Sequence, residues 1–253
     1  VSAFRFGHSM ARPLYDWSKV FGRGPDAVVS RASFEQLFQF TGHPFVDHSV
    51  TPPRFVGPFA GQSLRLPWHW IVDMERMTDE SGTFPDRSTR GINTVIAPAL
   101  SMMRNEPKGK FARMKHLAER NLRRDMHLNI PSAQACIAAM AAQGVVVAPL
   151  SESDLAQGAG GDVLKAFGML DQTPLWYYVL REAELQTDGK SLGQLGSRIL
   201  AETLVGLIVN DPGSYWHVAG SDNGRWSPED GVKPKGEAIT TIRKLLQAAD
   251  FHV

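Results

Sequence analysis

Ser2-Ala3-Phe4-Arg5-Phe6-Gly7-His8-Ser9-Met10-Ala11-Arg12 is the stretch on which the reading of this chain turns. Its pattern predicts a helix over residues 3–17, with Phe4, His8, Ala11 and Tyr15 on one stripe. Arg5, His8 and Arg12 are spaced by three and four residues, so a helix puts all three on one face. Pro13 should kink or end that helix early. A guanidinium and an imidazole among apolar neighbours are costly to desolvate. Such a face calls for something that accepts both.

An iron porphyrin would do so. Iron takes a neutral imidazole nitrogen, and an anionic propionate takes the guanidinium. The ordinary alternative is a surface histidine on an amphipathic helix.

The rest of the chain sets bounds on that reading. With 253 residues it can form one large domain or two small ones. Hydrophobic residues at 43% and charged residues at 21% fit a soluble globular protein, and secretion is as open as any other compartment. A net charge of +1 offers no basic field for nucleic acid or an anionic membrane. The one cysteine, Cys136, excludes an internal disulfide and reads as a small buried residue of an apolar helix. No stretch reaches the ~18 apolar residues of a membrane span. The nearest, 199–209, is short and carries Glu202.

Along the chain, Gly22, Gly24 and Pro25 predict a turn, and Ser33 reads as the N-cap of a short helix at 34–40. Residues 41–90 are rich in Pro, Gly and aromatics and read as loop around a short helix at 68–77. A loop of that length suits a cover for a site or a partner. Further helices are expected at 91–103, interrupted by Pro98, at 111–124, which is strongly basic, and at 132–143 after Pro131. Ser151 or Ser153 should cap another segment, and Gly158-Ala159-Gly160-Gly161 reads as a flexible break. Thr173-Pro174 suggests a cap followed by Pro at the first position of a helix over 175–185. A long helix at 191–210 should end at Asp211-Pro212-Gly213, residues 220–234 read as an irregular loop, and 235–249 as a last amphipathic helix. No convincing strand pair is expected, so the fold class is mainly α.

Three blocks carry a resemblance. The first is AFRFGHSM, residues 3–10. The second runs from Arg120-Asn121 through Arg123-Arg124-Asp125 to Ile130-Pro131-Ser132. The third runs from Thr173-Pro174-Leu175-Trp176-Tyr177-Tyr178 to Leu192-Gly193-Gln194-Leu195-Gly196 and Arg198. In that order they resemble the animal-type haem peroxidases of the peroxidase–cyclooxygenase superfamily, and a bacterial-like member in particular.

The resemblance implies a mainly α, haem-peroxidase-type helical fold. Residues 1–253 would be the C-terminal, proximal-histidine part of a single catalytic domain, incomplete without an N-terminal half. It implies haem as cofactor and His8 as the iron ligand. Asn121 would be the partner of the other imidazole nitrogen, and Arg5 and Arg124 would bind the propionates. The implied reaction reduces hydrogen peroxide and oxidises a halide or a small organic donor. Arg5 stands where the related fatty-acid dioxygenases place a radical-forming Tyr, and Tyr15 is a poor substitute, so a peroxidase is favoured over that alternative. A non-catalytic haem-binding or structural subunit is the other alternative.

The chain departs from the family around Asp125-Met126, and His127 and Asn129 replace smaller or more typical residues. The family's distal histidine, distal arginine and calcium loop precede the proximal helix and have no counterpart here. The opening at Val1, inside the predicted helix, suggests a proteolytic product or one chain of a two-chain molecule. A second polypeptide carrying the distal haem site is therefore expected. An open groove along Arg5, His8 and Arg12 would await it.

Other constellations are weaker. His43, Asp47, His48 and His69 match no familiar zinc spacing. Trp68-His69-Trp70 reads more simply as packing than as a binding surface. Nucleophile-elbow, Walker and Rossmann glycine motifs are absent.

Overall fold

Thr173 is where the sequence places a helix cap, and its bonds explain why the helix starts one residue later. The Thr173 N–H donates to Gln134 Oε1 at 2.9 Å, and its hydroxyl is held near Met169 O and Leu170 O, both at 3.1 Å. With those groups committed, Pro174 takes the N-cap position and the helix runs Leu175–Thr187.

The computed structural model describes residues 2–15, 32–33, 45–47, 54–56, 89–103, 109–221, 224–231 and 233–249. The chain is mainly helical and divides into two compact units. The first holds residues 1–11 and 89–210. In chain order it contains a 3-10 helix Ala3–Met10, α1 (Pro98–Ser101), a 3-10 helix Gly109–Lys115, α2 (Leu117–His127), α3 (Ala133–Ala142), α4 (Glu152–Leu155), α5 (Gly158–Ala166), α6 (Leu175–Thr187) and α7 (Gln194–Asn210).

Helix α6 is buried along most of its length because its apolar residues wrap around it. Leu175, Tyr178 and Val179 pack with Ala3, Ala133, Leu155, Leu164 and Leu195. Trp176, Leu180 and Ala183 pack with Ile92, joined by Phe6, Met10 and Ala118. The Tyr178 hydroxyl accepts from Leu150 N–H at 2.7 Å, so its one polar atom is satisfied.

Glu182 is fully buried in the same helix. Its carboxylate accepts from Leu195 N–H at 2.9 Å and Gly196 N–H at 3.0 Å, while Gln186 Oε1 accepts from Gln194 N–H at 2.9 Å. Three free N–H groups at the start of α7 are thus capped by side chains one turn apart on α6. A Cβ at Gly193 would lie 2.3 Å from Glu182 Cγ, so glycine lets the carboxylate in.

Several expectations are corrected. The glycine run 158–161 opens α5. A Cβ at Gly160 would meet the Tyr177 ring at 2.5 Å, and one at Gly161 would meet the Ala156 backbone at 2.3 Å, so the glycines permit close packing. Within 91–103 only Pro98–Ser101 is helical. Ile92 N–H donates instead to Gly189 O, and the Asn93 side chain accepts from Arg90 and Val95. The basic helix expected at 111–124 breaks at His116, whose Nδ1 accepts from Glu119 N–H and caps α2. Ser151, one of the two expected caps, does cap α4, and Ser132, expected as the first helical residue, is instead the cap of α3.

The second unit holds residues 12–88 and 211–253. Strands β1 (Leu14–Tyr15) and β2 (Ala32–Ser33) pair antiparallel, as do β3 (Phe45–Asp47) and β4 (Arg54–Val56). No pair was expected, because strands of two or three residues are too short to show alternation. Ser33 therefore lies in a strand and not at a helix N-cap. The helices expected at 34–40 and 68–77, the turn at 22–25, and His43, His48, Trp68, His69 and Trp70 lie outside the described residues.

Asp230 organises the region expected to be irregular. It accepts from Ser221 N–H at 2.8 Å and Ser227 N–H at 2.9 Å, and the Ser221 side chain together with these backbone donors holds its carboxyl well below the usual range. The last helix, α8, spans only Ile242–Ala248. Positive φ at Lys235 and Gly236 breaks the earlier turn, and Thr241 supplies the cap. Among the described residues no helix is long and apolar enough to cross a membrane.

Gly193→Ala should destabilise the first unit by about 1–3 kcal/mol, the usual cost of overpacking a filled site. Gly206→Ala, where a Cβ meets only Asn210 Nδ2 at 3.9 Å, should not destabilise it. Urea unfolding midpoints of the two variants check this.

Candidate functional site

The histidine-bearing segment is a 3-10 helix, and that geometry makes the site. At about three residues per turn, residues three apart eclipse one another. Ser2, Arg5 and His8 therefore form one straight edge. The helix ends at Met10, with Ala11 extended ahead of Pro13. Arg12 is thus beyond the helix and not on the His8 face, which corrects the expected three-residue stripe. Tyr15, in β1, accepts from Arg12 N–H through its hydroxyl at 2.9 Å.

Helix α2 presents the matching edge. Asn121 and Asp125, one turn apart, are its two buried residues, at 2% and 6% exposure. Ser2 Oγ donates to Asp125 Oδ2 at 2.5 Å. Arg5 Nη1 donates to Asn121 Oδ1 at 3.4 Å. Asn121 Nδ2 lies 2.9 Å from His8 Nδ1. The first and second sequence blocks, 113 residues apart at His8 and Asn121, are thereby joined side chain to side chain.

The opposite side of the 3-10 helix is fixed by the core. Ala3, Phe6 and Met10 pack with the residues around α6, and Trp176 Nε1–H donates to Arg5 O at 3.2 Å. Buried Ser9 turns its hydroxyl back onto Phe6 O at 2.8 Å. The C-terminal end of α2 is closed by Leu128 N–H to Arg124 O and Ile130 N–H to Asp125 O. Asn129 there has φ +49, a conformation asparagine tolerates better than most side chains, so the sequence departure at this position fits the turn.

Charge in the site is unbalanced. Burial, then Arg5, then Arg120 push the His8 imidazolium down from its ordinary pKa, so the neutral ring is favoured. Burial, then Arg124, also lower Arg5, and Asp125 opposes them. Arg124 is itself exposed, one turn beyond Asn121. Asp125 is already paired with Ser2, and its Oδ1 is a buried oxygen with no hydrogen-bond partner. Arg5 and His8 are both half-buried, and α2 covers their edge in part.

The sequence reading named Arg5, His8, Asn121 and Arg124, and the structure gathers them around one helix pair. It missed Ser2 and Asp125. Their signal was present: a carboxylate one turn after Asn121, and a hydroxyl one 3-10 turn before Arg5. Among the described residues no three His, Cys, Asp or Glu gather as ligands for a metal ion. An open depression of about 530 Å³ between the end of α6 and the start of α7, lined by Gln186, Thr187, Leu192, Gly193, Gln194 and Ser197, holds no acid–base pair.

The donor set fits a haem in kind. It offers one neutral imidazole, a neutral partner on Nδ1, and a cluster of guanidinium groups that an anion would relieve. Compared with known proteins, the chain matches no family model, no curated protein and no solved structure.

Ser2→Ala should cost about 1–3 kcal/mol, because it leaves both oxygens of a buried carboxylate without a donor. Chemical denaturation of the two proteins at neutral pH measures it. A second expectation concerns pH. The folded-state pKa of His8 is depressed, so its contribution to stability is complete above the ordinary histidine value of 6.5 and is lost as pH falls below it. Stability of the wild type should therefore fall more steeply on acidification than that of His8→Gln, and paired unfolding curves across this range reveal the difference.

Proposed function

We propose that this chain forms the proximal side of a haem peroxidase site. His8 would bind the iron through Nε2, Asn121 would hold Nδ1, and Arg5 and Arg124 would pair with the propionates. The observation that carries this reading is the His8–Asn121 contact inside a group of arginines, made between two blocks that the sequence resemblance had already singled out.

The prosthetic group would supply the redox chemistry, reducing hydrogen peroxide and then oxidising a halide or a small organic donor. The residues of this chain hold and tune it. Asn121 is neutral, so its amide orients the imidazole without the electron push of a carboxylate. Burial and the flanking guanidinium groups favour the uncharged imidazole, the charge state that metal ligation requires. Arg5 is steadied through its carbonyl by Trp176, so its side chain leaves from a fixed point on the backbone. Peroxide cleavage also requires a base and a cation on the far face of the ring. In this proposal they come from a second polypeptide or a further segment. His116 is committed to capping α2, and the exposed His127 ends that helix.

Reconstitution with haemin tests the assignment. The wild type should give a histidine-ligated Soret band and axial-ligand signals in paramagnetic resonance. His8→Ala should lose both, and added imidazole should restore them. An unchanged spectrum in His8→Ala would remove His8 as the ligand.

A further inference from the structure

Asn121 stands between a cation and an imidazole, and the cation decides which way its amide faces. Arg5 can only donate, so the amide oxygen faces Arg5 Nη1. The amide NH2 then faces His8 Nδ1 at 2.9 Å. Turning the amide over would set its NH2 against the guanidinium, donor to donor. The amide NH2 also has no lone pair to offer, so Nδ1 must accept. A neutral His8 in this arrangement carries its proton on Nε2.

That tautomer has consequences. A protonated Nε2 has no lone pair for a metal. Ligation through Nε2 requires the proton on Nδ1, and therefore an oxygen of Asn121 facing it. The two states differ by one amide turn and one proton position, and the guanidinium of Arg5 selects between them.

We infer that Arg5 is a positioning residue which latches His8 and Asn121 in the tautomer that cannot bind metal through Nε2, and that an anionic group drawing Arg5 away releases the latch. The latch itself needs only the hydrogen bonds above. Its release by a porphyrin carboxylate rests on the haem reading. The order of events follows: the anionic edge of the ligand engages Arg5 first, Asn121 turns, and Nε2 becomes free. An iron porphyrin lacking its carboxylates would meet a closed ligand. The surroundings favour such a release, because Arg120 and Arg124 already crowd Arg5 with like charge.

The experiment reads the tautomer directly in the metal-free chain. Ring nitrogen chemical shifts of 15N-histidine-labelled protein are recorded at about pH 8, where imidazole is neutral. The wild type should show His8 with the proton on Nε2. Asn121→Asp, whose side chain can only accept, supplies the reference with the proton on Nδ1. Arg5→Met should raise the ratio of the Nδ1–H to the Nε2–H form by about fivefold, the worth of one lost hydrogen bond. Arg5→Lys should keep the wild-type tautomer. A wild-type His8 protonated on Nδ1 overturns the latch even if Arg5→Met fails to fold. So does an unchanged ratio in folded Arg5→Met. Iron-free protoporphyrin, added last, should shift wild-type His8 toward Nδ1–H. Binding without that shift also overturns the latch, whereas absence of binding counts against the haem reading alone.

Discussion

The carboxylate of Glu182 against the first N–H groups of α7 is the contact around which the first unit is arranged. It lies fully inside the protein, where an ion is costly to keep. Burial pushes its pKa up, and the two backbone donors hold it down in part. Its contribution is therefore greatest at low pH and diminishes as pH rises through the raised folded-state value. The helix dipole and the unpaired N–H groups of α7 are what make a carboxylate tolerable there. Because Glu182 and Gln186 both reach α7, the angle at which α7 leaves α6 is fixed by hydrogen bonds as well as by packing.

Fixing α6 fixes the site. Trp176 lies on the same helix, and its indole N–H holds the carbonyl of Arg5. The 3-10 helix is thus clamped by α6 on one side and by the Asn121–Asp125 edge of α2 on the other. A 3-10 turn is a poor choice for a long element, because its hydrogen bonds are strained relative to an α-helix. Here it serves an end that an α-helix could not meet. Ser2, Arg5 and His8 eclipse only at about three residues per turn, and α2 offers buried partners to all three.

That Arg5, His8, Asn121 and Arg124 come together was legible because two short blocks carry a resemblance, with Arg5 three residues before His8 and Arg124 three after Asn121. What could not be read was the helix type. Spacings of three and four both fit an α-helical face, so Arg12 was grouped with His8. Only the tighter turn, ended by Pro13, separates them. A cap written in one residue, such as Ser151, was legible. Thr173 was not, since its hydroxyl and N–H are spent on contacts to residues that no local pattern reveals. The glycines at 158–161 read as flexibility, and yet Gly160 and Gly161 admit Tyr177 and the Ala156 backbone to within touching distance, as Gly193 admits Glu182. Strands of two and three residues leave no alternation to detect.

The choice of asparagine at position 121 follows from the same electrostatics. A carboxylate there would pair with Arg5 and raise the proton affinity of His8, filling the site with its own counter-charge. An aliphatic residue would leave Arg5 and His8 facing each other without a mediator. The amide does neither. It accepts from Arg5 and can either donate to or accept from His8, it adds no charge, and it is buried enough that its two polar ends must both be used. With the cation in place only one orientation of the amide is fully hydrogen-bonded, and the other opens only if the cation moves. The like charge of Arg124 and Arg120 beside Arg5, opposed by Asp125, is what would favour that movement if an anion arrived. On the proposed haem reading, the polarity of the ligand would act twice, once as attraction to the arginines and once as the condition for freeing the imidazole.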